Sequence, residues 1–184
     1  MVQDISERKR TEKSQLLLAQ VGNLLRTSQD EHLLMQKVCE RTSEMFGASL
    51  CSFAEVDEDR NVAWMLETCP TPGPELSGEF PLSAFGPIID QLRGGETVFV
   101  ADARIDSRTA ATYESAYEPL GARCFASVPV HLAGKWIGTF GVTSNKARAF
   151  RPEDIEILDN IGHRVWYTVM NLRARRELAN LRLG

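Results

Sequence analysis

The segment that opens at Pro152 constrains this chain more than any other. Proline suits the first turn of a helix, and Glu153 and Asp154 behind it favour the positive end of the helix dipole. From there Leu158, Ile161, Val165, Val169 and Leu172 recur at spacings of three and four, the seam of a coiled coil or bundle. A helix running on to about Leu183 would be roughly 45–50 Å long at 1.5 Å per residue. Such a helix outreaches the domain it packs on, so its far end needs a partner. The beginning of the chain resembles its end. Glu7 to Thr27 is charged and then Leu-rich, with Leu17, Val21, Leu24 and Leu25 on one helical stripe.

The rest of the chain must supply what these helices pack on. With 184 residues it is the length of one domain, and 43% hydrophobic with 25% charged residues is the balance of a protein with a core, not of a disordered chain. No run approaches the ~18 apolar residues of a membrane-spanning helix. Met1 to Lys13 is too polar for a secretory signal. A formal charge of −4 argues against a nucleic-acid binder, which needs a basic face. Cys39, Cys51, Cys69 and Cys124 form no Cys-x-x-Cys pair and are too sparse for a disulfide framework. The expectation is a reducing, cytoplasmic setting.

Ser28 followed by Glu31 reads as a capping box opening a second helix through Leu33, Leu34, Val38 and Met45, stopped by Gly47. Ala48 to Val56 and Val62 to Thr68 then form a hairpin, and Cys69 to Gly78, with Pro70, Pro72, Gly73 and Pro74, a loop. Leu82 to Arg93 is a short helix closed by Gly94 and Gly95, Thr97 to Ala101 a strand, and Ser107 to Tyr117 a helix-like turn. Arg123 to Leu132 and Lys135 to Ser144 form a second hairpin about Ala133 and Gly134, apolar almost throughout and so covered on both faces. This order is α+β: one antiparallel sheet, with terminal helices on one face and short helices roofing the other.

Two resemblances add to this reading. Asp4-Ile5-Ser6-Glu7-Arg8-Lys9-Arg10 resembles the motif that closes many PAS domains and leads into a signalling helix. Asp30 to Leu172 is similar to a GAF domain. The residues that carry this are Val98 to Asp102 with Asp106-Ser107-Arg108, Leu120 to Arg123, Ser127 to Val130, Gly134 to Gly138, and Phe150-x-Pro-Glu-Asp-Ile. The resemblance implies a six-stranded or similar antiparallel sheet, a small-molecule pocket over one face, and a parallel homodimer through the flanking helices. It also implies a place in a two-component sensory protein. Residues 1–12 would be the end of a PAS domain, 13–28 a signalling helix, 29–172 the GAF domain, and 173–184 the start of a coiled coil toward an output domain. It does not imply a particular ligand.

Each chemical signal has a plainer explanation beside it. No phosphate loop or nucleophile elbow is present, and Gly134, Gly138 and Gly141 sit in a hairpin, where glycines serve turns and close strand packing; the chain is expected not to be an enzyme. His163 departs from the phosphoacceptor pattern and reads as a polar residue on the outer face of the last helix; fewer than 25 residues follow it. Asn145, Lys146, Phe150 and Asp154 approximate a cyclic-nucleotide pattern in which Ile155 replaces Glu, and a Lys146–Asp154 pair pinning the loop accounts for them equally. Ala110 to Tyr117 lacks the Cys of covalent bilin sites, so no covalently bound cofactor is expected. For haem, His131 stands at a strand end and His32 in a helix-opening turn, and no residues have metal-ligand spacing.

The pocket candidates are Phe85, Ile89 and Leu92 on one short helix, Tyr113 and Tyr117 on the next, and Phe125, with Arg123 and Ser127 as polar anchors; a filled core explains the same stripe. A strand-edge Arg123 pairing with Asp102 or Asp106 is the alternative for that arginine. The dimer-helix candidates are Leu17, Val21, Leu24, Leu158, Ile161, Val165, Val169 and Leu172, with Arg173, Arg175, Arg176 and Arg182 as the solvated flank of the coil. The function expected is a sensory, signal-transmitting GAF domain for an unidentified small molecule. Its partners would be its own second copy and the adjacent PAS and output domains, without nucleic acid or membrane insertion. The rival is a ligand-free GAF that only dimerises and transmits.

Overall fold

The computed structural model describes residues 2–70 and 78–183, and the side chains of 5–70 and 78–182. The elements in chain order are α1 (Val2–Thr27), α2 (Glu31–Phe46), β1 (Leu50–Asp57), β2 (Val62–Cys69), β3 (Glu79–Pro81), a 3₁₀ turn (Leu82–Phe85), α3 (Ile88–Arg93) and β4 (Val98–Val100). Short 3₁₀ and π turns over 110–120 follow, then β5 (Cys124–Leu132), β6 (Lys135–Ser144) and α4 (Pro152–Leu183). One sheet of six strands has the order β3-β2-β1-β6-β5-β4, and every neighbouring pair is antiparallel. The α+β architecture therefore stands as expected from the sequence. Most of the expected proline-rich loop, residues 71–77, lies outside the described residues, as does the Asp4 side chain of the PAS-like motif.

Local chemistry sets several boundaries differently from the sequence reading. The cap of α2 is Asp30, not Ser28: its carboxylate accepts from the Leu33 amide at 2.8 Å, while the Ser28 amide closes α1 on the Leu24 carbonyl. Gly47 ends α2 at φ 59°, in the left-handed region that favours glycine. The expected helix over 82–93 is two pieces, because Gly86 (φ 72°) and Pro87, which has no amide proton, interrupt the ladder. Among the described residues no helix is long and apolar enough to cross a membrane.

Helices α1, α2 and α4 cover one face of the sheet. Leu17 and Val21 from α1, Leu34 and Val38 from α2, and Leu158, Ile161, Val165 and Val169 from α4 close over Phe53, Val128 and Phe140. This corrects the assignment of the dimer seam. Those residues of α1 and α4 face the protomer's own sheet, and only Leu24 and Leu172 of the expected set are less than fully buried. The three- and four-residue spacing marks an apolar face without saying what covers it, and here the sheet does. Close approach depends on two glycines. A Cβ at Gly138 would lie 2.2 Å from the Trp166 ring, and one at Gly162 would lie 3.1 Å from Phe140 and Val128.

Ion pairs lock the ends of this layer. Arg10 of α1 binds Asp154 in the first turn of α4, whose carboxylate also accepts from the Arg151 amide at 3.0 Å. Lys146, the partner expected for Asp154, is exposed, because Arg10 already lies beside that turn. Further along, Gly22 lies against Arg164, so α1 and α4 run side by side in the same direction. Arg173 grips Glu31 at 2.6 Å and Glu55 of β1 at 3.1 Å, and Arg176 reaches Glu31 at 3.4 Å. These two arginines fasten α4 to its own domain, while Arg175 and Arg182 remain exposed.

Candidate functional site

The opposite face of the sheet is roofed by the Leu82–Phe85 turn, α3 and the turns over 110–120, which leave a half-open cavity of about 140 Å³. Strand alternation decides what looks into it. On β1, Cys51 and Phe53 enter the helix-side core while Ser52, Ala54 and Val56 face the cavity. On β6, Phe140 and Val142 face the helices, Thr139 and Thr143 the cavity. Phe85, Ile89, Leu92, Tyr117, Phe125 and Ser127 line it, as the sequence suggested.

Tyr117 holds the roof together. Its hydroxyl donates to the Phe85 carbonyl at 2.6 Å, its ring stacks on Phe125 at 5.3 Å, and Phe85 meets it edge-on at 5.7 Å. Burial pushes its phenol pKa well up, which keeps the proton on the donor.

Two candidates fall outside. Tyr113 lies in a surface groove with Ala110, Glu114 and Glu118, and Arg104 sits 5.7 Å from its ring centre. Residues 113–117 form a single π turn in which Tyr117 is buried under the roof and Tyr113 only half-buried. Arg123 does not line the cavity either. It makes a two-pronged bond to Asp102, at 2.6 and 2.7 Å, the pairing the sequence held as its alternative. That bond holds the Asp102 carboxyl below the usual range. Arg108 likewise binds Asp106 and lowers its pKa, and it also reaches Gln91 of α3 and the Phe99 carbonyl at 3.1 and 2.9 Å. The two arginines fasten the β4 edge of the roof.

Sequence reasoning missed Ser52, Thr139, Thr143, Trp64 and Trp136, which also line the cavity. Extending the period-two alternation outward from Ser127 onto the neighbouring strands would have found the three hydroxyl residues. The histidines lie elsewhere: His32 pairs with Glu67 at 2.8 Å, His131 with the Arg93 carbonyl at 3.0 Å, and His163 is exposed with its ring on the Asp159 carbonyl at 2.8 Å. Among the described residues no group of three or more His, Cys, Asp or Glu is placed to hold a metal. Cys39, Cys51 and Cys124 are buried and Cys69 half-buried, all as free thiols. A hydrogen bond to Cys51, which favours the protonated thiol, and burial push the Cys39 pKa far up.

The family model for the GAF domain matches residues 28–169. The chain belongs to the GAF family. The GAF domain from a phosphoenolpyruvate-protein phosphotransferase of Coxiella burnetii superposes with a TM-score of 0.74 at 15% identity, over 90% of this chain and 98% of that one. Free methionine-R-sulfoxide reductase from Neisseria meningitidis, solved with its substrate, gives 0.67 at 19% identity, over 90% and 91%. Residues 122–287 of a methyl-accepting chemotaxis protein give 0.65 at 17% identity, over 84% and 97%. At these identities the likeness is one of fold. No curated protein sequence matches the chain. The GAF fold is a sensory and signalling one.

Proposed function

We propose that this GAF domain is the sensory, signal-relaying module of a cytoplasmic two-component protein, acting by binding and not by catalysis. A small molecule occupies the roof cavity and biases the packing of α1 and α4. The observation that carries the reading is a connection along one strand. Ser52, Ala54 and Val56 of β1 face the cavity, and Glu55 between them grips Arg173 of α4 on the other side of the sheet. Occupancy that shifts β1 therefore acts on the last helix, provided the ligand binds the two arrangements with different affinity. The PAS-like residues at the start of α1 support an upstream sensory neighbour, and Arg10 within them is tied to α4 through Asp154.

The reading includes a parallel homodimer, on a different face from the one the sequence suggested. Tyr167, Met170, Ala174, Leu178 and Leu181 recur along α4 opposite its buried face, and Tyr167, Leu178 and Leu181 are 70%, 57% and 79% exposed. Residues 174–182 of α4 are exposed, and so short a helical stretch gains stability by packing on a second copy. Native mass spectrometry with an absorption spectrum, on protein purified from its own host, tests both parts. A dimer carrying a small bound mass is expected, and Tyr167→Glu with Leu181→Glu should leave a folded monomer. A bare dimer that takes up no small molecule would favour the ligand-free transmitter, and a monomer at tens of micromolar would remove the dimer.

A further inference from the structure

The walls of the cavity say what kind of molecule it takes. The described residues around it include no Lys, Arg, His, Asp or Glu. The arginines next in sequence to its lining are committed elsewhere, Arg93 to Glu58 and Asp90 and Arg123 to Asp102. A charged group placed there would lose its hydration with no counter-charge to replace it.

The floor, by contrast, is polar at one point. Gly141 of β6 pairs with Ser52 of β1 on one side and Ser127 of β5 on the other. Thr139 and Thr143 stand two residues either way along its own strand. Four half-buried hydroxyl residues thus surround a position without a side chain. A Cβ built there would meet the Ser52 hydroxyl at 3.3 Å, a tight contact, and the Ala126 carbonyl at 3.8 Å, so an added methyl would crowd these hydroxyls. Around this dent the walls are aromatic and aliphatic, with Phe85, Tyr117, Phe125 and Trp136 prominent. The volume is about 140 Å³, and apolar cavities of about 150 Å³ accept benzene or xenon.

We infer that the cavity takes an uncharged molecule about the size of one aromatic ring, with an apolar body against the roof and one hydrogen-bonding group set over Gly141 among Ser52, Ser127, Thr139 and Thr143. This rests on the reading of the cavity as a ligand site and narrows it to a chemical class. Phosphate-bearing and carboxylate-bearing ligands, nucleotides and tetrapyrroles among them, fall outside that class.

The test uses three probes of one shape and different charge at neutral pH: benzyl alcohol, benzoate and benzylamine. Binding is followed by the amide resonances of Ser52, Ser127 and Gly141 and by Trp64 and Trp136 fluorescence, with xenon as a probe of the space alone. Benzyl alcohol should bind saturably, with the two charged probes at least about tenfold weaker. Gly141→Ala, which fills the dent, should weaken benzyl alcohol at least about tenfold while the spectrum stays that of the folded protein. Ser127→Ala, which keeps the shape, should weaken it severalfold. Equal binding of a charged probe, or an unchanged affinity in Gly141→Ala, would overturn the inference and leave the cavity reading intact. So would entry of xenon without binding of benzyl alcohol at millimolar concentration. Failure of xenon to reach the same amides would bring down the cavity reading itself.

Discussion

On the helix side of the sheet Phe53 and Phe140 stack at 4.6 Å and are 0% and 1% exposed; one residue along the same two strands, on the roof side, Ser52 and Thr139 are half-buried at the edge of open space. The two faces share a backbone, so strand propensity does not explain the contrast. The covering elements do. Three helices of 26, 16 and 32 residues present continuous apolar stripes to one face. The other is covered by a four-residue 3₁₀ turn, a six-residue helix and a five-residue π turn, held by Tyr117 and by two Arg–Asp forks at the edge. Short irregular elements meet a sheet at scattered points, and space remains between them. One face supplies stability, and the other trades some of it for room.

Substitution separates the two roles. Phe140→Ala should cost about 3–5 kcal/mol in chemical denaturation, the range for emptying a closed aromatic site. A loss below about 1 kcal/mol would mean that the helix side is not the stabilising face. Two glycines three residues apart on β6 then give effects of different size. Gly138→Ala drives a methyl into the Trp166 ring and should cost about 1–3 kcal/mol with a shift in Trp emission. Gly141→Ala meets only the Ser52 hydroxyl at 3.3 Å and the Ala126 carbonyl at 3.8 Å, and should change stability by less than about 1 kcal/mol, because alanine costs less than glycine in a strand interior. Equal losses at the two positions would erase the distinction between the faces.

A smaller effect comes from pH. The Asp102 and Asp106 carboxyls on the roof side are held below the usual range by Arg123 and Arg108. Burial alone would raise the Asp154 pKa, but Arg10 and the Arg151 amide outweigh it, and the net shift is also downward. As pH falls the unfolded chain takes up these protons first. The stabilisation is therefore complete above about pH 4 and is lost progressively below it. Thermal melting between about pH 6 and pH 3 should show that slope, and Asp154→Asn should flatten part of it without altering probe binding in the roof.

The sequence made the helix side more legible than the roof, for the same physical reason. The start of α4 at Pro152, the stop of α2 at Gly47 and both long hairpins follow from local patterns. Three-residue β3 does not, because only its pairing with Val62 to Trp64 makes it a strand. Tyr113 was misplaced because residue types do not say which side chains of a short turn reach the sheet, and only the folded chain sets it beside Arg104. Arg123 had two sensible partners on paper, and only the folded chain brings it against Asp102. The floor around Gly141 needs three strands in register, which no single segment displays.

The shared direction of α1 and α4 gives the domain a polarity. A chain whose first and last helices ran oppositely would enter and leave on the same side, and the sheet would hang off a hairpin as a side branch. Here the level of Arg10 on α1 is that of Asp154 on α4, and Leu183 lies roughly 40 Å farther on at 1.5 Å per residue. The fold is thus mounted in line, as a coupling on a shaft. Under the proposed relay, a twist along α1 would pass to α4 through Arg10 and the packed faces, with the cavity beside that path.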